Sequence, residues 1–150
     1  MASLIGQLNR ATYILNRHLE ERIAETGMYA SEFLVLRTAM LDTSASTALV
    51  RRAVGMRDAA FSDVIRRACQ RGYVTVEPFP SDRRTRRIAL TIPGRTTMRI
   101  ATDIYWDLEA MIGSAPWRLE SFGRLRELGD ALDALPPAAR TEDGLPAVTA

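Results

Sequence analysis

The chain contains no lysine, one cysteine (Cys69) and one histidine (His18) among its 150 residues. A lone cysteine excludes an internal disulfide framework and fits a reducing cytoplasm. A metal site would have to rest on carboxylates, because zinc and its neighbours are held chiefly by imidazole and thiolate. Without lysine there is no phosphate loop of the Walker kind, and neither a glycine-rich phosphate cradle nor a His-Glu-x-x-His helix occurs. A nucleophile pair would need Cys69 and His18 to meet, and no spacing asks for that. An enzyme built on those two residues is the least favoured of three readings, and no cofactor is expected. No apolar run approaches the roughly 20 residues of a membrane span. The first ten residues lack the basic-then-apolar order of a secretory leader. The expectation is a cytoplasmic protein without catalysis and without a membrane partner.

Hydrophobic residues make up 47% and charged residues 25% of the chain, enough for one domain with its own core. All 20 basic residues are arginine, set against 18 acids for a net charge of only +2. The informative quantity is therefore position. Between residues 51 and 99 stand twelve arginines and four acids, net +8; the rest has eight arginines and fourteen acids, net −6. An ordinary solvated surface would mix the signs along the chain. This split predicts a basic face offered to a polyanion and an acidic body behind it. Guanidinium forks suit phosphate oxygens and guanine edges by bidentate geometry.

Leu4, Leu8, Ala11, Leu15, Leu19 and Ile23 recur at three- and four-residue spacing, which predicts a helix over 4–24 ended by Gly27. Ser31 is the expected N-cap of a second helix, with Phe33, Leu34, Leu36, Met40 and Leu41 on its buried side. Residues 42–46 read as a loop, and a short helix follows through Val54 before Gly55. Over 58–71, Ala60, Phe61, Val64, Ile65 and Ala68 share one face. At about 100° per residue the opposite face carries Ala59, Ser62, Asp63, Arg66, Arg67 and Gln70. Cys69 falls at the edge of the packed face and is expected to be a small, half-buried core residue. Helix, glycine-containing turn, helix is the helix-turn-helix arrangement, whose second helix offers its outer face to DNA.

Residues 73–79 and 88–92 are β-branched and aromatic enough for two strands. The loop between them holds Arg83, Arg84, Arg86 and Arg87, four like charges in five positions. Such a cluster repels itself unless a polyanion approaches, and an arginine at a hairpin tip can enter a narrow minor groove. Asp82 is placed to hold one guanidinium by a charge-assisted hydrogen bond. Thr91 and Pro93 start a long helix to Gly113. Pro116 opens a last helix bearing Leu119, Phe122, Leu125, Leu128, Leu132 and Leu135. Residues 136–150, rich in Ala, Pro, Thr and acids, are expected to be a disordered tail. The fold class is mainly α with a small β-hairpin wing.

This order of elements resembles the winged helix-turn-helix regulators of the MarR (multiple antibiotic resistance regulator) family. The residues that carry the likeness are Ser31-Glu32-Phe33-Leu34-Val35-Leu36, Arg71-Gly72-Tyr73-Val74, Pro80-Ser81-Asp82-Arg83-Arg84 and Leu90-Thr91-Ile92-Pro93-Gly94. The last three match, in order and spacing, the family's helix-ending Arg-Gly, its wing Asp-x-Arg and its Leu-Thr-x-x-Gly. The resemblance spans about residues 3–135. It implies a single domain over 1–135, with dimerisation helices at about 3–25 and 93–135 and a winged lobe at about 30–92. It further implies a homodimer on double-stranded DNA, each recognition helix in a major groove and each wing in the adjacent minor groove.

By position, the DNA-contacting residues would be Arg57, Ser62, Asp63, Arg66 and Arg67 on the helix and Asp82, Arg83, Arg84 and Arg86 on the wing. Asp82 would orient Arg84, and Arg84 would insert. The family also implies a small aromatic or lipophilic effector between dimer body and lobe. Tyr13, Arg17, His18, Tyr29, Phe33 and Trp106 are available to line such a pocket, although aromatics at helical spacing more often make plain core, and none is singled out. The chain departs from the family at Arg57-Asp58-Ala59-Ala60, where a hydroxyl cap and hydroxyl readers are usual, and at Asp63, where a basic reader is common. A carboxylate in the groove repels phosphate unless it accepts from a cytosine amino group or pairs with Arg66 or Arg67. The leading reading is a sequence-specific, ligand-responsive repressor. The alternative is a degenerate winged-helix protein without operator reading, acting through protein or small-ligand contacts.

Overall fold

The structure, a computed structural model, describes residues 3–113 and 118–134. They form α1 (Leu4–Ile23), α2 (Ala30–Leu41), α3 (Thr47–Ala53), α4 (Asp58–Gln70), β1 (Val74–Pro78), β2 (Arg86–Leu90), α5 (Ile92–Gly113) and α6 (Arg118–Asp133). The backbone divides into two compact units, one running to Glu109 and the other from Ala110. The predicted class holds: mainly α, with a two-stranded antiparallel hairpin as the wing. The expected helix start at Pro116, its last apolar position Leu135 and the 136–150 tail lie outside the described residues.

The core of the first unit is built by Ile23, Phe33, Leu36, Val50, Val64, Ala68, Val74 and Met98, all nearly inaccessible to water. The apolar stripe of α1 is used only at its end, where Leu19 and Ile23 are buried. Leu4, Ile5 and Tyr13 stand about two thirds exposed. A 3-10 turn over Ala24–Thr26 then leads to Gly27, whose φ of 75° is the left-handed conformation glycine adopts freely.

The second helix departs from its expected start. Tyr29, not Ser31, is the N-cap of α2. Two carboxylates override the local hydroxyl: Tyr29 N–H donates to Glu32 Oε2 (3.2 Å) and Ala30 N–H donates to Glu20 Oε2 (2.8 Å). The buried side of α2 is Ala30, Glu32, Phe33, Val35, Leu36 and Ala39. Met40 and Leu41 are exposed, because the last turn of α2 runs past the core. In α4 the packed stripe is Phe61, Val64 and Ala68, with Ile65 partly buried beside it. Ala60 and Cys69 lie outside that stripe and are exposed, which corrects the core positions expected for both.

A complete Schellman motif closes α4. Tyr73 N–H donates to Ala68 O (2.9 Å), Gly72 N–H to Cys69 O (2.9 Å), and Gly72 has φ 71°. The hairpin follows with Val74 opposite Leu90, Val76 opposite Ile88 and Pro78 opposite Arg86. The second strand is thus shifted from the expected 88–92. It reaches back to Arg86 because Glu77 and Arg87 pair across the ladder (3.1 Å). It stops at Leu90 because Thr91 turns to another task. Thr91 N–H donates to Tyr73 O (3.0 Å), and its Oγ1 accepts from Gly94 N–H (3.1 Å), capping α5.

Gly94 sits so close to the end of α4 that an added Cβ would fall 1.9 Å from Tyr73 O. The Leu-Thr-x-x-Gly sequence is therefore a cap followed by a close approach of backbone to backbone. Gly94→Ala is expected to lower stability by ~2 kcal/mol through overpacking, seen as a fall in melting temperature of roughly 4–8 °C. An unchanged melting curve would refute this account of the glycine.

Candidate nucleic-acid interface

The basic segment folds into α3, α4 and the hairpin. Ser46 Oγ accepts from Leu49 N–H (3.2 Å) and starts α3. Arg51, in the last turn of α3, reaches Asp58 Oδ1 at the head of α4 (2.9 Å) and donates to Met56 O (3.3 Å). One guanidinium thus fixes the turn between the two helices. α4 begins after Arg57 with no side-chain cap, and Asp58 stands in the first turn, where the helix dipole favours an anion.

A groove of about 480 Å³ lies between α3, α4 and the hairpin, with Thr47, Arg51, Ser62, Arg66, Val76 and Arg86 among its walls. It gathers three of the expected contact residues, Ser62, Arg66 and Arg86, into one concavity. Arg51 and Thr47 were missed as site residues. The signal was present, since Arg51 lies one short helix before α4 inside the arginine-rich segment. Arg57 and Asp63 are exposed beside the groove residues on α4. Asp63 is answered directly, with Arg66 Nη2 2.9 Å from its Oδ1.

Arg67 is placed differently from Arg66. Its Nε lies 3.5 Å from Oε1 of the fully buried Glu32, and its guanidinium sits over the Tyr29 ring at 5.3 Å. The side chain is turned toward α2, not along the outer face that the wheel assigns it.

At the wing tip Asp82 does something other than expected. Its Oδ1 accepts from the Arg84 backbone N–H (2.9 Å) and its Oδ2 from the Thr85 hydroxyl (2.7 Å). The carboxylate shapes the backbone of the turn and holds no guanidinium among the described residues. Phe79 N–H donates to Thr85 O (2.8 Å) and closes the same turn. Arg83, Arg84 and Arg86 are exposed and form no ion pair among the described residues, whereas Arg87 is held by Glu77. Three guanidiniums are left facing water.

The six residues available for an effector pocket do not come together as a set. Arg17 and His18 both turn to Glu21 on α1 (3.7 Å each), and Tyr13 is exposed. Phe33 packs on Tyr105 (5.4 Å between rings), Tyr105 on Trp106 (5.5 Å), and the Arg37 guanidinium lies 4.5 Å over Tyr105. Burial, with the Glu109 carboxylate accepting from the phenol at 2.7 Å, raises the Tyr105 pKa above its ordinary value. Among the described residues no group of three or more His, Cys, Asp and Glu could hold a metal ion, and no helix is long and apolar enough to cross a membrane.

No protein-family model and no curated protein matches the chain. Solved structures do. The chain is similar to BpsR of Bordetella bronchiseptica, whose DNA binding is regulated by 6-hydroxynicotinic acid (24% identity, 85% of this chain and 94% of that one, TM-score 0.75). It is similar to a MarR transcriptional regulator from Methanosarcina mazei (18% identity, 87% and 98%, TM-score 0.70). It is also similar to MepR of S. aureus in complex with DNA (14% identity, 90% and 100%, TM-score 0.73). The chain has the winged-helix fold of the MarR-type transcription regulators.

The hydrogen bonds to Asp82, first from the Thr85 hydroxyl and then from Arg84 N–H, lower its pKa from the ordinary 3.8. A lowered carboxyl contributes order that is complete above its unfolded value and lost as pH falls through its folded one. The Arg84 and Thr85 amide resonances are expected to titrate together with a midpoint below 3.8. A midpoint at or above that value would contradict the turn described.

Proposed function

We propose that the protein is a double-stranded-DNA-binding transcriptional regulator, working as a cytoplasmic homodimer and as a repressor released by a small aromatic or lipophilic effector. The observation that carries this is the arginine-lined groove beside α4, together with a wing tip whose backbone is ordered while Arg83, Arg84 and Arg86 pair with no acid among the described residues. Ser62, Asp63 and Arg66, with Arg57 before them, are the base-reading set; the wing arginines enter the minor groove. Affinity comes mainly from arginine–phosphate contacts and sequence choice from the helix. The exposed apolar side chains of α1, Leu4, Ile5 and Tyr13, support burial against a second copy. The effector is supported by BpsR, by analogy, and by the aromatic cluster under Arg37.

The alternative, a winged helix that has lost operator reading, drew its strength from Asp58 and Asp63 repelling phosphate. Both acids are paired with arginines, Asp58 with Arg51 and Asp63 with Arg66, so the repulsion is largely cancelled locally. The deciding measurement is binding to the DNA flanking the protein's own gene against random duplex at two salt concentrations, followed by selection from genomic fragments. Preferential, salt-weakened binding by a dimer is expected. Equal weak binding to every DNA, selection included, would leave the alternative standing. Within that assay Arg84→Ala should weaken operator binding at least about tenfold, the scale of one lost charged minor-groove contact. Unchanged affinity would remove the wing from the mechanism.

A further inference from the structure

Glu32 is fully buried, and the DNA-reading surface does not use it. It sits in the first turn of α2, yet two guanidiniums from the far end of α4 close on it. Arg67 Nε is 3.5 Å from Oε1 and Arg71 Nη1 is 3.4 Å from Oε2. The Tyr29 ring faces both, at 5.3 Å and 4.7 Å. Arg71 also donates to the Gly27 carbonyl, so the corner between α1 and α2 grips the C-terminal end of the recognition helix. Glu32 Oε1 and Arg67 Nε are both buried, and neither has a hydrogen-bond partner among the described residues. That pair is held by charge and not by directional bonding.

We propose that Glu32 is a specificity-determining positioning residue: it draws Arg67 and Arg71 inward, fixing the direction of α4 and withholding two cations from DNA phosphates. The inference rests on the DNA-reading function above. A carboxylate removed from water is costly unless cations stay beside it. The only guanidiniums paired with it among the described residues are those of α4 and its C-cap. While Glu32 is charged, α4 is therefore kept against α2 at its last turns, and its groove-facing residues Ser62 and Arg66 are aimed by that attachment. The same pull lowers the number of cations the helix presents outward. Neutralising Glu32 must then act in two opposite directions. Arg67 and Arg71 become available to phosphate, so sequence-independent binding strengthens, while the helix loses its fixed aim and discrimination weakens. Simple loss of folding would weaken both together.

The test uses Glu32→Gln in the full chain, which keeps volume and the acceptor for Tyr29 N–H but removes the charge. Binding is measured to a duplex selected by the wild type from a random library and to unselected random duplex, across a salt series. Random-duplex affinity should rise about threefold or more, with the slope of log K against log salt steeper by about 0.9 for each additional phosphate neutralised. The selected-to-random ratio should fall at least about tenfold. A parallel loss on both DNAs with an unchanged slope, or no change at all, overturns the proposal. Arg71→Gln breaks the grip while removing the cation, so it should lower the ratio without raising random-duplex affinity; a rise would equally overturn it. A wild type that selects no sequence defeats the DNA-reading function itself. That failure is distinct, because failure of the Glu32 role leaves wild-type selection intact.

Discussion

The carbonyl of Tyr73 is the point on which the winged lobe depends. Tyr73 is the last residue of the motif that stops α4, and its oxygen receives the Thr91 amide just where β2 ends. Thr91 in turn caps α5, whose Gly94 lies against that same oxygen with no room for a side chain. The end of α4, both ends of the wing and the start of the long helix thus meet within one turn of backbone. Movement of any one of them is felt by the other three, because close-packed backbone leaves no slack.

That junction explains why short sequence fragments were so informative. Arg71-Gly72 and Thr91-x-x-Gly94 are local geometric demands: a left-handed φ, a cap, a missing Cβ. Such demands are written in single residues and can be read from them. The helical stripe of α4 was legible for the same reason. What could not be read was anything settled across the chain. Ser31 satisfies every local rule for an N-cap, yet Glu20 from another helix and Glu32 take that task. Glu32 itself looks like an ordinary first-turn acid until folding brings Arg71 to it from 39 residues away. Arg67 and Asp82 were placed correctly along the chain, but their partners were misjudged: a long side chain can bend off the face a helical wheel gives it, as Arg67 does toward Glu32, and a turn carboxylate can bond its own backbone, as Asp82 does. Cys69 shows the limit of the wheel at a stripe edge, where a small rotation decides between core and water.

The charge pattern has a similar history. The excess of arginine between residues 51 and 99 pointed to a polyanion-binding face, but not all of it is offered to solvent. Arg51, Arg66, Arg67, Arg71 and Arg87 each have an acidic partner. Those pairs that are partly exposed each contribute at most ~1 kcal/mol to stability. Their larger effect is to sort the arginines into those that brace the lobe and those that remain free, and the free ones concentrate at the wing tip.

The turn at Asp82 divides stiffness within that tip. Its backbone is fixed by hydrogen bonds in advance, so no main-chain order has to be created on contact. Its guanidiniums keep their rotameric freedom, worth ~2 kcal/mol for a long side chain. A rigid mount with loose fingers accommodates grooves of differing width at nearly constant cost. In the DNA-reading function proposed above, such a wing would sense the local shape and negative potential of a duplex and leave the spelling of its bases to the helix.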